Sequence, residues 1–387
     1  MAPPRLLIPI LSASNFLIGM GAFVIVGVLE PLGADFGITA ASAGTLMTVY
    51  ALAYAVLSPV LVSLTGAVGR RRVMAFGLSL FMGAALLSAL APNMIVLNIA
   101  RVMAAAGAGV FTPVAAAVAA ALYPVEMRAR VLAAVFFGLT LAQVVGVPAG
   151  SWIAYTFGWR WAFWVVVGLA VPAIALIWIF VPKGLSFQPV SLRDLGGVLR
   201  NGRMMLAVLF TGTFLGAIYV LYTYIAPLLS QTMGYGRDGV TLVLAIFGVG
   251  AVVGNIAGGI LADRVGWART LVALCLCQMM CMPFFSVLPM GDALLLVLAF
   301  AWSVTGWAFM AGQQMRLIGL AGPQAPVVLA LNAAAIYVGA ALGSAVGAWV
   351  IEAFGILYVG LAASVGSALA LLHLTLSINR SPAPQSA

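Results

Sequence analysis

The stretch Gly146–Gly158, GVPAGSWIAYTFG, returns 197 residues later as Gly343–Gly355, GSAVGAWVIEAFG. In that register Gly146, Gly150, Trp152, Phe157 and Gly158 fall on Gly343, Gly347, Trp349, Phe354 and Gly355. The same offset lays LTGAVGRRR (64–72) over LADRVGWAR (261–269), matching Leu64, Val68, Gly69 and Arg72. It also sets Gly19 on Gly216, Gly37 on Gly234 and Gly109 on Gly306. Single glycine matches mean little in a chain with 43 glycines. Five identities in one short stretch, sharing a register with the loop match, are hard to reach by chance. Self-similarity at one fixed period marks a structural repeat, so the chain reads as two parallel copies of one unit.

Composition says what the unit is made of. Of 387 residues, 65% are hydrophobic and 6% charged, and the mean hydropathy is +1.20. A soluble domain carries about 25% charged residues. This chain cannot cover a water-facing surface, which excludes a soluble globular protein, a disordered chain and a secreted disulfide scaffold. An outer-membrane barrel is excluded because its strands alternate polar and apolar residues. A polytopic α-helical membrane protein remains.

About 20 apolar residues cross the hydrocarbon layer as a helix. Breaks at charged, Pro-rich and Gly-rich positions give twelve spans, near 6–29, 42–64, 73–91, 94–121, 130–154, 161–181, 204–229, 240–262, 270–288, 293–320, 327–349 and 355–378. The first of these begins after Arg5 and runs on without a processing site, so it reads as a membrane helix and not a cleavable signal. The sequence thus predicts a six-helix bundle over 1–181, a linker over 182–203 and a second six-helix bundle over 204–387.

The 17 basic residues against eight acidic ones give a net charge of +9. With the amino terminus in the cytoplasm, thirteen of the seventeen fall on cytoplasmic segments, Arg5, Lys183 and Arg380 among them. Arg160 and Arg237 fall outside, and Arg101 and Arg316 lie within spans. That asymmetry is the positive-inside bias of short loops, not the footprint of a nucleic-acid partner. Both termini are expected in the cytoplasm, with the protein in a bacterial inner membrane as a monomer. Cys275, Cys277 and Cys281 share one apolar run without a neighbouring His or acid, so no metal site and no cofactor are expected.

Three stretches carry a resemblance to a known family. Gly259-Ile-Leu-Ala-Asp263-Arg264-Val-Gly266-Trp-Ala-Arg269 matches a G-x-L-x-D-R-x-G-R-R type loop. Ala100-Arg101 with Gly107 and Gly109 resembles an Arg-x-x-x-x-Gly helix. Gly138 through Gly146-Val-Pro148-Ala-Gly150 is similar to an antiporter signature, with Pro148 two residues after Gly146 rather than adjacent to it. Together they resemble the major facilitator superfamily. Within it they resemble the twelve-helix drug:proton antiporter branch, near the bacterial sugar-efflux and chloramphenicol-resistance permeases. The resemblance covers essentially the whole chain. It implies the major facilitator fold, all-α with twelve transmembrane helices in two six-helix repeats that rock about a central site.

The resemblance also implies roles. Asp263 with Arg264 and Arg269, and the trio Arg70, Arg71 and Arg72, stand where the family latches the cytoplasmic side. A carboxylate there meets a helix N-terminus and pairs with Arg. The alternative is a solvated loop pair worth about 0–1 kcal/mol. In the first half Gly66 stands where the family keeps an Asp and Ala67 where it keeps an Arg. Arg101, a third of the way into the fourth span, is costly unless it faces a cavity or a partner. The readings are a coupling role or an Arg snorkelling to the interface, and the same pair of readings holds for Arg316. Gly146, Pro148 and Gly150, with Gly343 and Gly347 in the repeat, suit close helix packing and bending.

Substrate contacts are sought among polar and aromatic residues inside spans, which face the bundle interior. Tyr50, Tyr54, Gln143, Tyr222 and Asn332 are the candidates, suited to an amphipathic organic molecule. Proton coupling is the main departure from the family. Relatives carry an acid in the first helix, where this chain has Gly19-Met20-Gly21-Ala22-Phe23. No acid falls mid-span. Glu30, at the far end of the first helix, is the nearest candidate, paired with Arg101, and His373 titrates near neutrality. The expected activity is secondary transport of a small organic compound by proton-coupled efflux. Uptake or uncoupled passage of an organic anion, sugar or nucleoside is the alternative, and a non-transporting receptor the alternative of another class. One His, no Cys/His pair and no in-membrane carboxylate cluster leave an enzyme without its groups.

Overall fold

A computed structural model describes residues 6–185 and 192–379. Arg5 and Arg380, used above to orient the chain, lie outside the described residues, as does part of the 182–203 linker. Among the described residues, twelve helices are long and apolar enough to cross a membrane. They are α1 Leu7–Phe36, α2 Ala40–Leu64, α3 Arg70–Ala89, α4 Met94–Leu122, α5 Arg130–Phe157 and α6 Trp159–Phe180, then α7 Gly202–Met233, α8 Arg237–Val265, α9 Trp267–Ser286, α10 Asp292–Ala321, α11 Val327–Phe354 and α12 Ile356–Ile378. Within each unit, the end at which its first helix begins is called proximal here and the end at which that helix finishes distal.

Short caps set the boundaries. Thr39, Asn93 and Asn201 accept from the backbone N–H three residues on, at 3.2, 3.0 and 3.2 Å, and start α2, α4 and α7, the usual use of these residues before a helix. At the other ends the repeat shows itself in the backbone. Gly37 and Gly234, 197 apart, end α1 and α7 in the left-handed region, with φ of 63° and 66°. Gly158 and Gly355 follow α5 and α11 with φ of 98° and 100°. These glycine matches hold positions that disfavour any other residue.

Prolines shape the interiors. Pro148 has no N–H for the carbonyl of Val144, and α5 widens there into a π turn over Ala142–Gly146, an accommodation that keeps the helix continuous. In α7 the helix breaks at Thr223–Tyr224, between Gly202–Tyr222 and Ile225–Met233. Pro227 lies four residues beyond Thr223, where its ring and missing N–H oppose helical continuity. The sequence predicted one unbroken span here.

The chain forms two compact units, Met1–Pro189 with Tyr224–Gly248, and Val190–Thr223 with Val249–Ala387. In the first, α1 is the most buried of the twelve and packs against α2, α4, α5 and α6, while α3 packs between α4 and α6. In the second, α7 packs along α11 and α12, and α9 along α10 and α12. Both units use the same glycine seam. A Cβ on Gly19 of α1 would stand 2.7 Å from Ala142 Cβ of α5. In the repeat, a Cβ on Gly216 of α7 would stand 3.4 Å from the Gly339 carbonyl of α11. Gly146 adds Met20 at 3.1 Å, Gly150 faces Val24, Gly343 adds Tyr219 Cβ at 3.0 Å, and Gly347 is buried on α11. Such close approach maximises dispersion contact where lipid gives no hydrophobic drive between helices. The linker joins the second unit through Val198, buried against Met204, Val208 and Leu317.

Candidate functional site

In the first unit Arg101 of α4 lies inside a span and is 1% exposed. It neither snorkels nor meets an acid. Its Nη1 and Nη2 donate to the carbonyl oxygens of Gly21 and Ala22 at 2.9 and 2.7 Å. Its guanidinium carbon lies 4.3 Å from the centre of the Tyr50 ring. A desolvated cation is thus met by two backbone dipoles and a π face. The bond to α1 falls within the Gly19–Phe23 stretch, which carries no acid. Tyr54 continues the aromatic face at 6.3 Å from Tyr50. A void of about 10 Å³ adjoins, lined by Gly21, Phe81, Ser88, Arg101 and Phe163, room for no more than one water. Deeper along the unit, Asn15 donates to the Val135 carbonyl at 3.1 Å and accepts from Thr112 at 3.0 Å, tying α1 to α5 and α4. Gln143 sits in the π turn, where Gly248 of α8 comes so close that its Cβ would stand 2.5 Å from Val144 Cα.

At the distal end of the same unit, Glu30 of α1 is half-buried. Its carboxylate accepts from Tyr155 Oη of α5 at 2.5 Å and from Ser230 Oγ of α7. Glu30 thus stands on α1 beyond the Gly21–Ala22 carbonyls that hold Arg101, bonds to α5 and α7 instead, and forms no ion pair with Arg101. Nearby, Asp35 accepts from Arg160 at 2.5 Å and from Trp159 Nε1 at 3.0 Å.

The second unit holds two separate clusters. Asn332 of α11 accepts from Thr211 Oγ1 at 2.5 Å, and Gln313 of α10 donates to Thr211 Oγ1 at 3.0 Å and to the Ala207 carbonyl at 2.8 Å. Tyr222 instead belongs to an aromatic group, 5.8 Å from Tyr219 and 6.4 Å from Trp302, which stacks edge-on with Phe285 at 5.1 Å. Tyr50 and Tyr54 stand with Arg101, Gln143 is in the α5 π turn, Tyr222 is among rings, and Asn332 is in an amide–hydroxyl network. His373 of α12 is half-buried, with Nε2 2.8 Å from the Leu206 carbonyl and Nδ1 3.1 Å from Thr213 Oγ1.

Of the latch residues, Arg70 is buried and donates to the Gly66 carbonyl at 3.1 Å. Arg71 donates to the Trp178 carbonyl at 3.0 Å and lies 4.5 Å from the Trp178 ring centre. Arg72, Asp263, Arg264 and Arg269 are exposed, and Asp263 forms no ion pair with either arginine. Sequence reasoning missed Tyr155, Ser230 and Tyr224. Tyr155 carried a faint signal, a hydroxyl near the end of an otherwise apolar helix. Ser230 and Tyr224 carried none, because their importance comes from which helix α7 reaches beyond its break.

An all-helical chain with twelve apolar helices in repeated halves, and charges buried inside, is a polytopic membrane protein of the transporter type. Comparison with known proteins specifies it. The Major Facilitator Superfamily model matches residues 11–325. The chain is 31% identical to the "Inner membrane transport protein YdhP" of Escherichia coli (strain K12) over 96% of each chain. It is 29% identical to the "Uncharacterized MFS-type transporter YbcL" of Bacillus subtilis (strain 168), again over 96% of each. Two solved structures share the fold. One is a bacterial homolog to the human lysosomal transporter Spinster, inward-facing and unoccupied, at TM-score 0.77 and 17% identity over 98% of each chain. The other is a D-xylose-proton symporter at TM-score 0.75 and 17% identity, over 95% of this chain and 96% of that one. The chain belongs to the Major Facilitator Superfamily. It is a multi-pass membrane transporter and not an enzyme.

Proposed function

We propose that this transporter exports small organic compounds, drug-like or sugar-like, in exchange for protons by alternating access. The bundles over 1–181 and 204–387 move against each other about the 182–203 linker in an inner membrane. The distal end faces outward and both termini lie in the cytoplasm. The 31% identity to an inner membrane transport protein supports the location, and the basic residues support the orientation.

The observation that carries the reading is the Glu30 carboxylate, bonded to Tyr155 of α5 and to Ser230 of α7. Coupling needs a group whose protonation changes a contact between the halves, and Ser230 is encoded in the second half. Hydrogen bonds to an ionised carboxylate are about twice as strong as neutral ones. A proton arriving from outside loosens the hold on α7, and its loss tightens it. Arg101 keeps α1 registered on α4, and His373 provides a second titratable group in the second unit. Tyr50, Tyr54, Gln143, Tyr222 and Asn332 contact substrate in the course of the cycle, and Asp263, Arg264 and Arg269 with Arg70, Arg71 and Arg72 latch the proximal side in another state of it.

The test is Glu30→Gln in liposomes, with a substrate first found by thermal shift on a ligand panel. The variant is expected to lose uphill transport driven by a pH gradient while retaining substrate exchange. Uphill movement at the native rate would overturn the assignment.

A further inference from the structure

The two membrane arginines differ in a way that points to a ligand. Arg101 spends both terminal nitrogens on backbone acceptors. Arg316 of α10 does not. It is 1% exposed, and only Nη2 is engaged, donating to Ser377 Oγ of α12 at 2.5 Å. Nε and Nη1 have no partner among the described residues. Because they flank Nη2, each two-nitrogen edge of the guanidinium keeps one open donor. Two rings enclose the group, Trp267 of α9 at 5.3 Å and Phe210 of α7 at 5.7 Å. Phe210 also meets His373 edge-on, their ring centres 6.0 Å apart.

Among the described residues of the second unit, no carboxylate forms an ion pair with it. Asp263, Asp292 and Glu352 are exposed, at the ends of α8, α10 and α11, and none forms an ion pair with Arg316. A cation removed from water costs several kcal/mol unless it is paired, and unmade bonds to charged donors add to that cost. Buried charges are therefore held by partners, and here the protein supplies one hydroxyl and two π faces. The missing complement is an acceptor with negative charge. A planar guanidinium with open donors on both edges matches an oxyanion better than a point anion. The position is five residues before the end of α10, and the end of a membrane span is where water and lipid headgroups begin.

We propose that Arg316, with Ser377 and between Phe210 and Trp267, is a buried oxyanion-binding site that takes a carboxylate or phosphate group. The inference stands independently of the efflux reading, since it concerns only the second unit. The group arrives either on a soluble anion or on an anionic lipid headgroup.

The experiment follows thermal unfolding of the purified full-length protein in neutral detergent. Sodium phosphate and sodium acetate are titrated against sodium chloride at matched ionic strength. In parallel, the protein is placed in phosphatidylcholine nanodiscs with and without phosphatidylglycerol. A saturable rise in melting temperature with phosphate or acetate beyond that with chloride assigns a soluble anion. A rise only with phosphatidylglycerol assigns the lipid phosphate. Either rise should vanish in Arg316→Gln. Arg316→Lys keeps the charge but not the two-edged donor set, and should raise the half-saturating concentration about tenfold, the worth of one charge-assisted bond. It serves if the glutamine variant does not fold. No shift beyond chloride in any arm, or an undiminished shift in both variants, would overturn the proposal.

Discussion

Replacing Gly44 by Ala is expected to unseat the α7–α8 segment, residues 224–248, from the first unit. A Cβ on Gly44 of α2 would stand 2.5 Å from Tyr224 Cζ, and closer still to Cε1 and Oη. Ordinary contact begins at 3.4 Å, so ring or helix must yield by more than about 0.9 Å. The ring has nowhere to go. Tyr224 is fully buried, and Ile225, Ala226, Leu228 and Leu229 behind it are buried as well, so the whole segment must shift. Overpacking of this kind costs about 1–3 kcal/mol, which multiplies the unseated population by about 5–150. The assay is labelling of Leu229→Cys by a membrane-impermeant maleimide, with Cys275, Cys277 and Cys281 changed to Ala. Leu229 is 0% exposed, so it labels only when the segment lifts. Gly44→Ala should accelerate labelling within that range, and adding Tyr224→Leu should reverse most of the gain by returning the volume. Labelling within twofold of the parent, or acceleration indifferent to Tyr224→Leu, would refute the reasoning.

The glycine seam of the second unit should be equally intolerant. A Cβ on Gly339 would stand 2.5 Å from the Gly212 carbonyl and 3.0 Å from Gly216 N, all backbone. Gly339→Ala should therefore lose about 1–3 kcal/mol of stability, read as earlier thiol reaction of the buried Cys275 on heating. Gly259→Ala, with nothing within 4 Å, should be neutral or gain up to about 1 kcal/mol in helix propensity. Arg101→Met should change stability by less than about 2 kcal/mol, because relief of a buried charge offsets the lost bonds, while pH-gradient-driven flux falls at least tenfold. Arg101→Lys should fail to rescue flux, since an ammonium lacks the planar fork that spans Gly21 and Ala22. Parallel melting and flux measurements on both Arg101 variants check this.

Much of the architecture was legible because bilayer physics leaves few choices. A chain with 6% charge must satisfy its backbone internally, and length then counts the spans. The 197-residue register gave more than a repeat. It picked out Gly37 and Gly234, and Gly158 and Gly355, whose backbones need glycine, and it carried the α1–α5 seam onto the α7–α11 seam. The functional residues were legible as types but not as partners. Arg101 looked like half of an ion pair and is held by carbonyls. Tyr222 and Asn332 looked alike, yet one packs among rings and the other bonds a threonine.

Sequence by itself determined that this is a twelve-helix membrane protein of two related halves, since hydropathy, charge asymmetry and repeat period are sums and spacings along the chain. Tertiary structure alone decided that Pro227 breaks α7 so that its far segment packs on the other half, that Glu30 reaches Tyr155 and Ser230, and that Arg316 keeps open donors. Those facts depend on which faces meet across helices distant in sequence. In a uniformly apolar chain nearly every face is greasy enough to be either inside or out, and only packing selects between them.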